Sequence, residues 1–170
     1  MRPLRRSHRL SLIVVVLVLL AAAPAWATTI TYGSYNRPLL FEGVVFNGQT
    51  FDVEVTWGSS YNAVYSTQLP MFLGDESGAM DAVQALIQAL VDNGHTPSSL
   101  QSYIVVPYAN SGTLATSWGS DLNAAELTAR LVNTLPYNSY GNTGYTVWTV
   151  ADPVKAESIS WGKIKALFQQ

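Results

Sequence analysis

The feature that most constrains this chain is a change of hydrophobic period between neighbouring segments. Phe51, Val53, Val55 and Trp57 alternate with Asp52, Glu54 and Thr56, the two-residue period of a strand with one dry and one wet face. Further on, Met80, Val83, Ile87, Leu90 and Val91 recur at helical spacing. Any fold of this chain must bury one sheet face and one helix stripe. Asn47-Gly48 precedes the alternating arm and readily takes the positive φ of a tight turn, so Leu39 to Trp57 reads as a β-hairpin. A two-residue turn would pair Glu42 with Val53 and put a carboxylate on the apolar face. A three-residue turn bulged at Gly48 pairs Phe41 with Val53 and Gly43 with Phe51, facing Glu42 with Asp52. The bulged register keeps the core dry and is the expectation.

The helix has its own punctuation. Asp75 or Ser77 can cap it, Glu76 sits in its first turn, and Asn93-Gly94 closes it. Ser102 to Tyr108 reads as a strand that Pro107 ends or pushes to an edge, with Thr113 to Trp118 as its partner across Asn110-Ser111-Gly112. A second helix is expected from Asp121 to Leu135: Asn123 and Glu126 are spaced as a capping pair, Leu127, Leu131 and Leu135 share a stripe, and Pro136 stops it. Tyr145 to Ala151 reads as a strand. In Ser158 to Gln170, Trp161, Ile164, Leu167 and Phe168 stand at helical offsets, although Ile159 to Trp161 also suits a strand. Thr28 to Tyr32 is a short apolar start, and Gly58 to Pro70 and Asn138 to Gly144 are polar, aromatic loops. Clustered rather than alternating elements predict a single α+β domain, an antiparallel sheet with two to three helices.

The front of the chain has a different character. Met1 to Arg9 is basic, Leu10 to Ala23 is a run of 14 mostly apolar residues, and Pro24-Ala25-Trp26-Ala27 offers a small-x-small site. This is the pattern of a secretory signal peptide cleaved after Ala27. As a helix the run would rise about 21 Å, short of the roughly 30 Å of a hydrocarbon core. The expected mature domain, Thr28 to Gln170, is secreted or periplasmic in a bacterium and does not span a membrane. It keeps five basic residues against 11 acidic ones, a formal charge of −6, which argues against nucleic acid, whose phosphates need a Lys/Arg footprint. With no cysteine, the fold must stand without disulfides, and thiol catalysis and thiolate metal sites are excluded.

Catalytic templates fail one after another. Beyond the signal the one histidine is His95, past a helix end, where a solvated loop residue is a more economical account than a general base. Gly74-Asp75-Glu76-Ser77-Gly78 has glutamate where a nucleophile elbow needs serine. P-loop, zinc-hydrolase and calcium-loop patterns do not occur, and no cofactor or metal is expected. The acid pair Asp52 and Glu54 shares one strand face, with Glu42 nearby, and paired carboxylates can hydrolyse glycosides. A solvated face protected from edge pairing explains the same residues. Aromatic residues are the remaining signal: Tyr61, Tyr65, Trp118, Tyr137 and Tyr140 fall at strand ends and in loops rich in Ser, Asn and Gly, where flat amphipathic rings suit sugars or protein partners. Core filling is the competing role for each.

Asn47-Gly48-Gln49-Thr50-Phe51-Asp52-Val53, then Trp57-Gly58-Ser59-Ser60-Tyr61-Asn62, then Phe72-Leu73-Gly74-Asp75-Glu76 opening an alanine-rich helix, resemble a group of secreted bacterial domains of unknown function. Many of that group carry a PEP-CTERM tail read by exosortase. The likeness runs from about Phe46 to Leu90 and implies an exported protein of the cell surface or biofilm matrix. It brings no catalytic residues, and Ile159 to Gln170 lacks the Pro-Glu-Pro signal, a transmembrane stretch and a basic end. The expectation is a non-enzymatic exported domain whose loop aromatics bind extracellular polysaccharide or a surface protein. A carboxylate hydrolase built on Asp52 and Glu54 is the alternative.

Overall fold

A computed structural model describes residues 27–151. Its elements are β1 (Thr29–Tyr32), a 3-10 turn (Ser34–Asn36), β2 (Pro38–Phe46), β3 (Gln49–Trp57), α1 (Tyr61–Val64), α2 (Glu76–Asp92), β4 (Tyr103–Asn110), β5 (Ala115–Asp121), β6 (Arg130–Thr134) and β7 (Thr143–Val150). The seven strands form one sheet in the order β1-β2-β3-β7-β4-β5-β6, an α+β arrangement. Every pairing is antiparallel except β4 with β7, which is parallel. The sheet is therefore mixed, not antiparallel throughout. The last strand inserts between β3 and β4, and no local pattern in its sequence states which neighbours it takes.

Asn47 and Gly48, at φ 49° and 75°, form a two-residue turn that pairs Phe46 with Gln49. The expected bulge at Gly48 is absent. The extra residue sits instead in β2, where Phe41↔Val53 and Val44↔Phe51 leave Glu42 and Gly43 together opposite Asp52. Gly43 adopts φ 80°, and its N–H donates to Asp52 Oδ1 at 3.1 Å. A tight turn and a dry apolar face thus coexist.

One sheet face packs on α2. Asp75 caps that helix, accepting from Gly78 N–H at 2.9 Å; Ala79, Ala82, Val83, Leu86 and Leu90 bury themselves against Phe41, Val53, Ile104 and Val106. Phe46, Phe51, Phe72 and Trp148 close one end of this core, with ring centroids 5.5–6.3 Å apart. At the other end the sheet curls. β1 and β5 lie five strands apart, about 24 Å in a flat sheet, yet Ser98 reaches both sides: its hydroxyl donates to Tyr35 O and its N–H to Leu122 O.

The segment expected to be a second helix is a loop followed by β6. Leu131 and Leu135 are 53% and 41% exposed, so their four-residue spacing marks no buried stripe. Val132 turns inward, and Thr134 meets the buried Tyr145 hydroxyl at 2.6 Å. Asn123 does not cap: its side chain accepts from Ser102 N–H and donates to Ser98 O. Pro107 does not end β4, which runs on to Asn110; β7 pairs with β4 only through Val105, so at Pro107 one side of the strand is a local edge and no partner is missed. The expected C-terminal element, 158–170, lies outside the described residues.

Candidate functional site

The second sheet face carries its own small core. Tyr145, Val105 and Ala115 are buried there beneath α1, a helix too short for its period to be read from sequence. Ser60 caps it by accepting from Ala63 N–H at 3.2 Å, and Asn62 N–H donates to Pro136 O. Tyr61, Tyr65 and Tyr145 form a triad with centroids 4.9–6.3 Å apart. Where β4 and β7 diverge, two backbone carbonyls lose ladder partners. Thr146 Oγ1 donates to one, Val105 O, at 3.0 Å, and the Tyr65 hydroxyl donates to the other, Thr146 O.

Burial holds the Tyr65 hydroxyl well above its ordinary pKa, reinforced by Tyr61 and Tyr145. Tyr61 is also raised by burial, against a lowering hydrogen bond from Asn110. Asn110 Oδ1 accepts from Gly112 N–H at 2.8 Å, which orients its carboxamide.

An open groove of about 400 Å³ runs beside this triad, lined by Tyr61, Asn62, Tyr65, Ser66, Leu69, Pro70, Leu73 and Asn110. No lining residue is charged. Asn62, Ser66 and Asn110 are exposed, Tyr61 and Tyr65 are held rigid by the contacts above, and Leu69 stands 77% exposed at the rim. Such a surface offers flat apolar faces and neutral hydrogen-bonding groups, the usual equipment for an uncharged polar ligand.

The structure separates the five aromatic candidates. Tyr61 and Tyr65 reach the groove. Tyr137 is 59% exposed on the neighbouring turn, and the Tyr140 hydroxyl accepts from Leu135 N–H at 3.2 Å, closing that turn. Trp118 lies in β5, not in a loop; it packs against the α2-side core with a buried, unpartnered Nε1. The acid pair is elsewhere too. Asp52 Oδ1 serves the bulge, Glu54 is exposed, and neither lines the groove. His95 stacks on Tyr32 at 6.3 Å, with Nε2 3.3 Å from Leu122 O. Among the described residues no cluster of three or more His, Cys, Asp or Glu could hold a metal, and no helix is long and apolar enough to cross a membrane.

Sequence reasoning missed Asn62, Asn110 and the Leu69–Leu73 wall. The Ser60 cap signal was there to be found for α1, and Leu69 to Leu73 follow Tyr65 closely in the chain, but Asn110 comes from the far end of β4. No known protein family, curated protein or solved structure matches the chain.

Proposed function

We propose that this chain is an exported, non-catalytic binding domain of the bacterial cell surface or matrix, cleaved after Ala27, that holds a glycan along the groove beside Tyr61 and Tyr65. The observation that carries the reading is the lining: two immobilised tyrosines and three exposed neutral hydrogen-bonding side chains, with no charged residue. Aromatic faces take up the C–H faces of sugar rings, and carboxamides match their hydroxyls. The export pattern of Met1 to Ala27 and the likeness to surface-sorted domains support the location. Asp52 and Glu54 lie outside the groove, so the hydrolase alternative gains no support from it.

The test is a titration with a neutral glucose hexasaccharide followed by NMR. Amide shifts confined to Asn62, Ser66 and Asn110, with Asn62→Ala and Asn110→Ala each weakening binding about fivefold or more at unchanged melting temperature, are expected. A groove silent to neutral oligosaccharides, or release of reducing sugar abolished by Glu54→Gln, would overturn it.

A further inference from the structure

The curled end of the sheet holds a second constellation. Two hairpins of this chain turn through consecutive residues at positive φ. One uses Asn47-Gly48, side chains that tolerate that conformation. The β1–β2 hairpin instead uses Tyr35 and Asn36, at φ 62° and 57°, and an aromatic side chain resists it. The surroundings enforce the strain: Gly33 N–H donates to Arg37 O, Asn36 Nδ2 to Thr96 O and Oγ1, and the Ser98 hydroxyl to Tyr35 O. Strain retained by so many contacts points to a use for the side chain it displays. That side chain, Tyr35, is 55% exposed.

Arg37 stands beside it. Its guanidinium lies 4.8 Å from the centroid of Trp57 and 5.8 Å from that of Tyr35, and Nε donates to Ser102 Oγ at 2.7 Å. Trp57 is fixed in turn, its Nε1 donating to Pro38 O at 2.8 Å. Gly144 leaves the indole room, since a Cβ there would come within 2.8 Å of the ring. Among the described residues no carboxylate pairs with Arg37, and its Nη1/Nη2 edge donates no hydrogen bond to them. Both aromatic neighbours and Ser102 hold the cation before any ligand arrives, which lowers the entropy cost of binding.

We infer that Tyr35, Arg37 and Trp57 form a binding site for a carboxylate-bearing sugar, the guanidinium edge taking the carboxylate and the exposed Tyr35 ring the pyranose face. A planar monoanion matches one guanidinium edge in bidentate fashion. A phosphate dianion calls for more positive charge than this one arginine supplies, in a chain whose body is acidic. The site lies at the sheet end opposite Asn110 and the groove, so it stands or falls independently of the groove reading.

The experiment titrates the purified full chain with methyl glucuronide and follows the Trp57 indole N–H resonance and the amides of residues 33–37. Methyl glucoside, acetate, inorganic phosphate and a short peptide with a free C-terminus are the comparison probes. A saturable shift with methyl glucuronide, at least about tenfold weaker with each comparison probe, is expected. Arg37→Lys keeps the charge but loses the fork, and should weaken binding about tenfold or more. Tyr35→Asn should raise the melting temperature by relieving the turn while weakening binding, a pairing that a purely structural tyrosine would not give. The inference is overturned by a shift absent with methyl glucuronide, matched by any comparison probe, or unchanged in Arg37→Lys.

Discussion

Replacing Tyr65 by phenylalanine removes one oxygen and separates two effects of opposite sign. The ring and its packing against Tyr61 and Tyr145 remain, but Thr146 O loses the hydroxyl that serves it where β4 and β7 part. Leaving a partly buried carbonyl without a partner costs about 1 to 2 kcal/mol near neutral pH, or about 3 to 5 °C in melting temperature per kcal/mol for a domain of this size. Alkaline pH reverses the balance. In the folded state burial raises the hydroxyl's pKa far above its ordinary value of 10.0, so the folded protein keeps a proton that the unfolded chain releases. Below about pH 10 this term is constant, and above it the wild type loses about 1.4 kcal/mol per pH unit through this one group. Tyr65→Phe has no such loss. The two stabilities should therefore cross about one unit above pH 10. Urea midpoints followed by tryptophan fluorescence between about pH 7 and pH 12 read this directly. Parallel stability curves across that range would refute the burial of the hydroxyl, and coincident curves near neutral pH would refute its bond to Thr146 O.

Gly48→Val places a β-branched residue at φ 75° with nothing within 4 Å of its Cβ, so the cost is backbone strain alone, about 1 to 3 kcal/mol by denaturant melts; an unchanged midpoint would mean the turn is not formed as described. Trp118→Ala should unfold more readily by about 2 to 4 kcal/mol and leave glycan affinity untouched in the folded fraction, because the ring packs on the α2-side core. Calorimetry and the hexasaccharide titration separate those two outcomes.

The amino-acid sequence by itself determined the elements whose signal is local. The alternation from Phe51 to Trp57, the Asn47-Gly48 turn and the Asp75-capped stripe of α2 each rest on a period or a cap contained within a short segment, and all three are present. The β6 region read wrongly because its evidence was ambiguous at that range. Leu127, Leu131 and Leu135 fit a helical stripe, but the sheet offered Val132 and Thr134 a buried ladder beside β5 and left Leu131 outside. Only the tertiary structure could place β7 between β3 and β4, bring the Tyr65 hydroxyl to Thr146 O, and set Asn110 against Tyr61 and Tyr65. Those are contacts between residues far apart in the chain. Their energy comes from burial and from hydrogen bonds that exist only once the sheet has closed, so no window of sequence contains them. The two constellations follow the same division. The tyrosines Tyr61 and Tyr65 were visible as loop aromatics, whereas the bond of Arg37 to Ser102, 65 residues away in the chain, exists only in the folded sheet.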